Sequence, residues 1–551
     1  MPAQFARTVT VALFLSLAVS GLLDAADHVW HASGEQAAVA TGGAESADAA
    51  MAVLQDGGNA ADAAVAALLV LSVTDPKNFC FGGEVPILVY DARRKVVEVV
   101  CGQGVAPRLA TVAYFQEHHE GRIPGDGHAA TAAVPGALDA LLTTLERYGT
   151  KTFEEMGAPT LAILDRYRDG WQPRLARTMR RVIKAERQGG GDRLCGLRLA
   201  ADCFYRGPIA RELDAWSRAH GGLLRYTDLA THVTRIEAPL ASDYRGYTVY
   251  KCGPWTQGPC LLQTLRLLEG FDLGSLPHNS GPYVHLLTEA MKLGLADRDA
   301  FYGDPLFVDV PLDGLLSQPY ADLRRPLIDL ARASHELRPG DPRGNRALLG
   351  IAPADYRLPG GPVQDTTTCL VADREGNVVA ATPSGWGGVM AGETGILLGS
   401  RLRSLNTWPG HPNCIEPGKR PRITLTPTLV ARAGRPVAAI SVAGGDQQDQ
   451  VTLQVLLNHL EFGFDPAQAV TAPRFVTEHL VGSFNQTPPH LGSLTLYEAF
   501  PAGAIADLER RGHRVTRKRP PLGHPVMLVI DPQSRKTAAG DPAARRHARA
   551  N

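Results

Sequence analysis

Three consecutive threonines at positions 366–368 follow a segment rich in proline and glycine and open a strand-like run. The run passes through the turn-forming residues Arg374–Asn377 and resumes over Val378–Thr382, which predicts a β-hairpin. A threonine hydroxyl becomes a nucleophile when a base lies beside it, and cleavage of the preceding peptide bond supplies that base as the residue's own α-amine. The threonines are therefore candidates for catalysis. Ordinary strand sequence is the simpler interpretation, because β-branched residues fit a pleated sheet.

Paired glycines, Gly444 and Gly445, mark a second candidate feature. They follow a predicted hairpin over Thr426–Ala443 and precede a helix predicted from about Gln448 to Leu460. Such a turn directs backbone N–H groups and the positive end of a helix dipole towards one point, which suits an oxyanion hole. A tight turn that simply needs positive φ values is the structural alternative.

The elements around these features alternate between helices and strands. Two alanine-rich helices are predicted within Ser46–Val73, separated by a glycine-based cap at Gly57–Asn59. The same patterns predict further strands over 86–101 and 237–250, and further helices over 134–148, 153–169, 261–269 and 283–302. Residues 331–365 are polar and rich in proline and glycine, and are predicted to form a flexible linker that ends at the threonines.

The composition excludes several classes of function. The 551 residues are 44% hydrophobic and 20% charged, which is typical of a globular protein with two or three folding units. The formal net charge is zero, which argues against a nucleic-acid partner. The basic end, Arg545–Arg549, is interpreted as a solvated tail. The chain has no dinucleotide-binding loop, P-loop or zinc spacing, so no cofactor and no metal are predicted.

The N-terminus predicts export to the periplasm or the cell exterior. Arg7 precedes an apolar stretch over Val9–Leu23, and small residues follow, so residues 1–25 are predicted to be a signal peptide. An uncleaved N-terminal anchor is the alternative, and no other membrane span is predicted. Eight cysteines fit export. The pairs Cys195/Cys203 and Cys252/Cys260 are candidates for small disulfide loops, and buried free thiols are an equally open interpretation.

Several motifs in fixed order resemble the γ-glutamyltranspeptidases of the N-terminal-nucleophile hydrolase superfamily. They include Thr366-Thr367 and Gly444-Gly445, and the others are Gly57–Val65, Glu289–Pro305, Gly376-Asn377, Ala391–Leu398, Lys419–Pro421, Pro427-Thr428 and Ala472–Phe475. The resemblance implies an α+β fold, a four-layer αββα sandwich formed by both subunits of a self-cleaved proenzyme. Cleavage between Asp365 and Thr366 would give a large subunit of residues 26–365 and a small catalytic subunit of residues 366–551.

The resemblance also implies the roles of individual residues. Thr366 matches the nucleophile, with its N-terminal amine as base, and Ser384 matches a second hydroxyl beside it. Gly444 and Gly445 match the oxyanion hole. No further component is implied beyond the two subunits and a small-molecule amide or peptide substrate.

The expected donor pocket departs from the family pattern. Gln103 stands where an arginine grips the donor's α-carboxylate, and Thr424 falls in the position of a serine pair. Arg401 and Ser404 lie in the segment where an aspartate would hold the α-amine, and Trp386 replaces an asparagine. A zwitterionic glutamyl head needs opposite charges at fixed places, so these losses argue against tight γ-glutamyl recognition and for a more apolar pocket.

These features lead to one favoured function and two alternatives. The favoured function is a self-processing amide hydrolase or acyltransferase, with hydrolysis preferred because nothing marks an acceptor site. Hydrolysis of γ-glutamyl compounds such as glutathione is one activity within it. The first alternative is an amidase on the same scaffold that resembles a β-lactam acylase. The second is a catalytically inactive protein that keeps the fold for binding.

Overall fold

Two seven-stranded antiparallel sheets form the centre of the fold. A computed structural model of the chain describes residues 28–344, 346–347, 366–385 and 387–551. The predicted signal peptide, Asp365 and Trp386 lie outside the described residues. The strands are β1 His31–Gly34, β2 Ala38–Thr41, β3 Val85–Asp91, β4 Val96–Gly102, β5 Arg235–Glu237, β6 Leu240–Tyr244, β7 Tyr247–Lys251, β8 Gly340–Asp341, β9 Arg346–Ala347, β10 Cys369–Ala372, β11 Val378–Ala381, β12 Val389–Met390, β13 Leu397–Leu398, β14 Thr428–Arg432, β15 Arg435–Ala443, β16 Phe475–Val476, β17 Ser493–Tyr497, β18 Arg514–Lys518, β19 His524–Ile530, β20 Lys536–Gly540 and β21 His547–Ala550.

The sheets draw strands from both ends of the chain. Sheet I has the order β21-β2-β10-β11-β3-β4-β5, and sheet II has the order β1-β20-β19-β15-β14-β7-β6. The predicted threonine hairpin is β10 and β11, and it lies between β2 and β3 in sheet I. The predicted second hairpin is β14 and β15, at the centre of sheet II. Both hairpin predictions are confirmed.

The strands of sheet I bury both faces. In β10, Leu370 and Ala372 face sheet II, while Cys369 and Val371 face the helices. Alternate side chains of a strand point to opposite faces, so this short strand contributes to two cores at once. The space between the sheets is closed by small and branched side chains from both, among them Leu528 of sheet II.

Helices cover the outer faces of both sheets. They are α1 Ala44–Gln55, α2 Ala60–Thr74, α3 Val112–His119, α4 Ala137–Tyr148, α5 Phe153–Leu164, α6 Gln172–Glu186, α7 Arg193–Tyr205, α8 Pro208–Ala219, α9 Tyr226–Ala230, α10 Pro259–Leu268, α11 Gly281–Phe301, α12 Leu312–Leu315, α13 Gln318–Arg324, α14 Gln448–Leu460, α15 Pro466–Thr471 and α16 Ala502–Arg510. Helices α1, α2 and α4 pack on sheet I, and α10, α14 and α15 pack on sheet II. The predicted αββα sandwich is therefore the observed fold.

Helices α1 and α2 form as the sequence predicts. Gly57 adopts a positive φ of 78° just after α1. Asn59 then caps α2, because its side chain accepts hydrogen bonds from Ala61 and Asp62 N–H. The Asp62 carboxylate in turn accepts a hydrogen bond from the Asn59 N–H. Helix α2 is buried along nearly its whole length and contacts β10 and β11. It thereby forms the floor beneath the threonine hairpin.

The region between Gln172 and Ala219 was not assigned any helix from the sequence. It forms α6, α7 and α8, which pack on one another and extend the helical layer over sheet I. Helix α6 buries Leu175, Met179 and Val182 on one face and carries several arginines on the other. The triple glycine at 189–191 lies in the turn between α6 and α7. Helix α5 ends at Leu164, earlier than the predicted end at 169.

The basic C-terminus is not a solvated tail, so that prediction is wrong. His547–Ala550 form β21, which pairs with β2 at the edge of sheet I. Arg546 is buried, with 3% of its surface exposed, beneath the start of β10. An open strand edge offers unpaired backbone groups, and the last residues of the chain occupy that edge.

The first part of the predicted linker makes specific contacts. Ala333 N–H donates to the Arg511 carbonyl, and Gly340 N–H donates to Asp297. Gly340–Asp341 also pairs with β9. Residues 348–365, the rest of the predicted linker, lie outside the described residues. The described part of the linker is thus bound to the body of the molecule.

All eight cysteines are free thiols in the described part of the chain. Cys195 and Cys203 lie on the same helix, α7, about 12 Å apart along its axis at 1.5 Å per residue, which is too far for a disulfide. Cys252 and Cys260 are both buried. The interpretation as buried free thiols therefore holds for this second pair. None of the helices in the described ranges combines the length and hydrophobicity that crossing a bilayer requires.

Candidate active site

Thr366 lies at the leading edge of β10 and is fully buried. Its backbone φ is 83°, in a region that branched residues rarely adopt. Its N–H donates a hydrogen bond to the carbonyl of Asn78 at 3.2 Å. A non-glycine residue with positive φ costs about 1–3 kcal/mol and persists only where its surroundings hold it. The fold therefore holds this threonine in a conformation that it would not choose alone.

The side chain of Gln448 contacts the Thr366 hydroxyl at 3.2 Å. In one orientation of the amide, its nitrogen and its oxygen both have hydrogen-bond partners. In it, the NH₂ group donates to the carbonyls of Thr424 at 2.9 Å and Val442 at 3.1 Å, and the oxygen accepts from Thr366 Oγ1. Gln448 is the first residue of α14, three residues after Gly445. It therefore joins the threonine of sheet I to the end of β15 in sheet II.

The paired glycines form a turn with unused donors. Gly444 has a φ of 132° and Gly445 a φ of 57°, and both values favour glycine. Within the part of the chain that the structure describes, neither N–H has a hydrogen-bond acceptor. The turn leads through a short 3₁₀ segment, Gly445–Gln447, into α14. Two unpaired N–H groups thus lie before a helix, three to four residues from Gln448, and their role as an oxyanion hole stays a prediction.

Ser384 belongs to a buried charged group beside the threonines. Arg401 Nη2 donates to Ser384 Oγ at 2.9 Å, and Arg401 Nε donates to Glu84 at 2.7 Å. Arg401 Nη1 reaches Ser404 Oγ at 3.3 Å. All four residues are buried. Because Glu84 compensates the Arg401 cation, the group carries no net charge, and the guanidinium fixes the orientation of the Ser384 hydroxyl.

A backbone contact joins this group to the threonines. Thr367 N–H donates to the carbonyl of Pro383, the residue before Ser384, at 3.0 Å. On its other side, Thr367 Oγ1 accepts from Arg546 Nη1 at 3.4 Å. Burial raises the pKa of Asp75, and the nearby Arg546 cation opposes the rise. A buried cation therefore lies one residue from Thr366.

The other residues predicted for the donor pocket do not all lie beside Thr366. Thr424 is buried, and its carbonyl receives the Gln448 amide, while its own hydroxyl has no partner among the described residues. Gln103 is buried but donates to the adjacent Gly104 carbonyl, and its side chain contacts neither Thr366 nor Ser384. Trp386 lies outside the described residues. The structure thus brings Thr366, Ser384 and Thr424 to one region and leaves the Gln103 side chain bonded to its neighbour.

A separate cluster of side chains, of the types that can bind metals, lies between α11 and the residue before β18. His285 Nδ1 and His513 Nε2 are 2.8 Å apart, and Glu289 lies close to both. Lys292 contacts Glu289 at 2.6 Å and Arg338 contacts it at 3.1 Å. These two cations already neutralise the carboxylate and would oppose a metal cation. The group therefore fits a buried hydrogen-bonded scaffold.

The sequence analysis missed four residues of the site: Asn78, Glu84, Gln448 and Arg546. Glu84 had a usable signal, since a carboxylate stands at the start of the apolar run Val85–Val89. Gln448 was assigned to the helix but not to the site. Asn78 acts through its backbone carbonyl, which carries no signal in a sequence.

The arrangement suits attack on a carbonyl carbon. A buried hydroxyl has a fixed hydrogen-bond partner, a second hydroxyl is held by an arginine nearby, and two unpaired N–H groups follow on the connected turn. Nucleophile, orienting group and oxyanion donors are the parts that acyl transfer requires.

Comparison with known proteins places the chain in a family. A family profile described as gamma-glutamyltranspeptidase matches residues 46–171 and 166–550. The glutathione hydrolase proenzyme of Bacillus subtilis subsp. natto is 30% identical over 533 residues, covering 90% of this chain and 88% of that protein. The Acylase ACY 1 proenzyme of Pseudomonas sp. (strain SE83) is 31% identical over 550 residues and 92% of each chain.

Solved structures agree with these matches. The structure of LmbA2991HD superposes with a TM-score of 0.86 at 37% identity, covering 94% of this chain and 99% of that one. Cephalosporin acylase from Bacillus halodurans superposes with a TM-score of 0.79 at 25% identity, covering 95% and 97%. With the sandwich fold and the geometry around Thr366, these matches lead to one conclusion: the chain is an enzyme of the γ-glutamyltranspeptidase family, with the N-terminal-nucleophile hydrolase fold.

Proposed function

We propose that the chain is an exported proenzyme that cleaves itself before Thr366 and then hydrolyses a small-molecule amide through that threonine. The large subunit would comprise residues 26–365 and the small subunit residues 366–551. The observation that carries the proposal is the environment of Thr366: a buried hydroxyl oriented by Gln448, on a backbone held at positive φ. The two proenzyme relatives support it as well.

Self-cleavage would begin with Thr366 Oγ attacking the carbonyl carbon of Asp365. The peptide C–N bond breaks as the acyl group moves to oxygen, and the nitrogen takes up a proton. Water then hydrolyses the ester, which releases the Asp365 carboxylate and leaves Thr366 with a free hydroxyl and a free α-amine. The carbonyl of Asn78, which accepts from the Thr366 N–H, is in position to hold this amine.

In turnover, the amine would accept the hydroxyl proton as Oγ attacks the substrate carbonyl. The leaving amine then takes that proton, and water resolves the acyl-enzyme. The amine must be neutral to act as a base. An α-amine has an unperturbed pKa of roughly 8, so a neutral fraction is present near neutral pH. Gly444 and Gly445 N–H would stabilise the oxyanion, by roughly 3 kcal/mol for each donor.

The charges around Ser384 favour a neutral acyl group over a γ-glutamyl group. Arg401 is engaged by Glu84, and the Gln103 side chain is uncharged. A zwitterionic head would bring two charges into a region whose described charges are already paired, which is costly. We therefore propose acylase-type amide hydrolysis, and place γ-glutamyl hydrolysis second.

Self-cleavage is tested by denaturing electrophoresis and N-terminal sequencing. The purified wild type is expected to give two bands, with the smaller beginning at Thr366. The variant Thr366→Ala should give one full-length band, because it lacks the nucleophile, while Thr366→Ser keeps a hydroxyl and should still be cleaved. An intact wild-type chain that turns over an amide, or a cleaved Thr366→Ala variant, would overturn the proposal.

Substrate class is tested separately on the cleaved enzyme. Hydrolysis of an uncharged acyl anilide is expected to show at least about tenfold higher kcat/KM than hydrolysis of γ-glutamyl anilide, since about 1.4 kcal/mol of unfavourable charge burial gives that factor. The opposite preference would reject the acyl assignment and leave self-cleavage standing.

A further inference from the structure

Arg298 belongs to the sequence motif Glu289–Pro305 and is not used by the mechanism above. It lies on α11 and is fully buried. Its Nη1 donates to Asp446 Oδ1 at 2.5 Å and to Gln257 Oε1 at 2.9 Å. Its Nη2 donates to the Val481 carbonyl at 2.6 Å. One guanidinium thus bridges the segment before Thr366 and two separate segments after it.

Asp446 is the residue that follows the paired glycines. Beyond Arg298, its carboxylate accepts from Ser483 Oγ at 2.5 Å and from Ser483 N–H at 2.9 Å. Its carbonyl accepts from Gln450 Nε2 at 3.1 Å. The side chain is 20% exposed, whereas that of Arg298 is not exposed at all. Asp446 is therefore one of the points at which the glycine turn is attached to the rest of the protein.

The glycine turn needs such an attachment. Gly444 and Gly445 have no side chains to pack, both have positive φ, and neither N–H is paired within the described residues. Glycine also loses more conformational freedom on ordering than any other residue. Oxyanion donors act only when they are already in place at the moment of reaction, so the turn must be held from outside.

We propose that Arg298 is a positioning residue for the oxyanion hole, acting through Asp446 on the Gly444–Gly445 turn. It does so in two ways. Its Nη1 holds one oxygen of the Asp446 carboxylate in place, and its charge compensates that carboxylate, which would otherwise repel the oxyanion that forms beside the turn. This inference rests on the proposed amide hydrolysis.

The charge effect makes the inference testable by a pair of variants. In Arg298→Met, the turn is loosened and Asp446 loses its ion-pair partner, so kcat is expected to fall about 10- to 100-fold with KM changed by less than about threefold. In Arg298→Met/Asp446→Asn, the anion is also removed. The double variant should therefore recover at least about fivefold in kcat over the single variant.

Arg324→Met is the matched control. Arg324 is equally buried and pairs with Asp297 of the same motif, but it contacts the Arg338 carbonyl rather than the glycine turn. It should lower the midpoint of urea unfolding and leave kcat of the folded, cleaved enzyme within about twofold of wild type. Activities are referred to the amount of small subunit that begins with Thr366, so cleavage and turnover are counted separately.

Three outcomes would overturn the inference: unchanged kcat in Arg298→Met, a double variant no more active than the single variant, or an equal loss of kcat in Arg324→Met. If Arg298→Met does not fold, Arg298→Lys and Asp446→Asn carry the same test. Arg298→Lys keeps a donor for the Val481 carbonyl, and Asp446→Asn keeps an acceptor for Ser483. Each of these variants should lower kcat by less than the 10- to 100-fold expected for Arg298→Met. A wild type that lacks Thr366 at an N-terminus would instead reject the proposed function.

Discussion

Thr366 can act as a nucleophile only if its hydroxyl keeps one orientation. Gln448 supplies that orientation, because its NH₂ group is occupied by two carbonyls and leaves its oxygen to accept from Oγ1. The same residue ties the start of β10 to the start of α14. An amide oxygen is a poor base, so its contribution is to position the hydroxyl, while in the proposed mechanism the proton goes to the α-amine.

Replacing Gln448 with methionine should slow both self-cleavage and turnover by about tenfold, because the hydroxyl loses its fixed acceptor. Single-turnover cleavage of freshly refolded precursor and steady-state amide hydrolysis measure the two rates. Gln454→Met is the control, since Gln454 lies on the same helix and bonds the Gln450 and Phe475 carbonyls away from the site. It should lower stability alone. Wild-type rates in Gln448→Met would show that Gln448 does not orient the nucleophile.

At the scale of elements, buried histidines hold the start of the linker against the body. His285 Nε2 contacts the Asp329 carbonyl at 2.8 Å, and His479 Nε2 contacts the Glu336 carbonyl at 3.0 Å. His479 Nδ1 accepts from Gly492 N–H at 2.9 Å. The two His479 contacts require a neutral imidazole, because a proton on His479 Nδ1 would face the Gly492 N–H donor.

The histidine contacts predict a loss of stability in acid. Burial, reinforced by the charge of Lys292, lowers the pKa of His479 to about 3. The unfolded chain, with a histidine pKa of about 6.5, therefore binds the proton first. The free energy of unfolding should fall as pH drops from about 6.5 towards 3, by roughly 1.4 kcal/mol per pH unit for this group.

Urea unfolding between pH 6 and pH 4 measures this slope. His479→Gln keeps a side-chain amide that can reach the Glu336 carbonyl but has no titratable nitrogen. The slope of its unfolding free energy against pH should therefore be shallower, by up to the roughly 1.4 kcal/mol per pH unit that one proton contributes. His490→Gln, at an exposed histidine on the same segment, is the matched control. An unaltered slope in His479→Gln would mean that His479 is not the neutral group inferred here.

At the scale of the whole molecule, the two predicted subunits share both sheets. In sheet I, β10 and β11 lie between β2 and β3, and in sheet II, β14 pairs with β7 while β20 pairs with β1. Neither side of the proposed cleavage point can complete a sheet alone. The chain break would therefore leave a single folding unit whose strands remain interleaved.

After cleavage, the subunits should stay associated and unfold together. We expect one peak in native size-exclusion chromatography, one cooperative urea transition, and separation only under denaturation. Residues 366–551 expressed alone should show no cooperative unfolding, because β10 and β11 would lose the neighbours on both sides. A small subunit that folds by itself, or dissociates under native conditions, would contradict this prediction.

The sequence predicted the central hairpins, the glycine turn before α14 and the alanine-rich helices, because each depends on local chemistry. The hairpins follow from strand residues separated by turn residues, and α2 from Asn59 and Asp62 at its cap. The C-terminal strand was missed because Arg545–Arg549 have the composition of a tail. Only the open edge of β2 makes them a strand, and that edge is formed by residues some 500 positions earlier.

By itself, then, the order of residues determined where a candidate hydroxyl nucleophile, a glycine turn and their strands would lie along the chain. The tertiary structure decided which polar groups meet. Gln448 reaches Thr366, Arg401 is compensated by Glu84, and Arg298 reaches Asp446, each across 80 or more positions. Local patterns report propensity and periodicity, whereas the orientation and charge balance of a buried site depend on contacts between distant segments, which exist only after the sheets have packed.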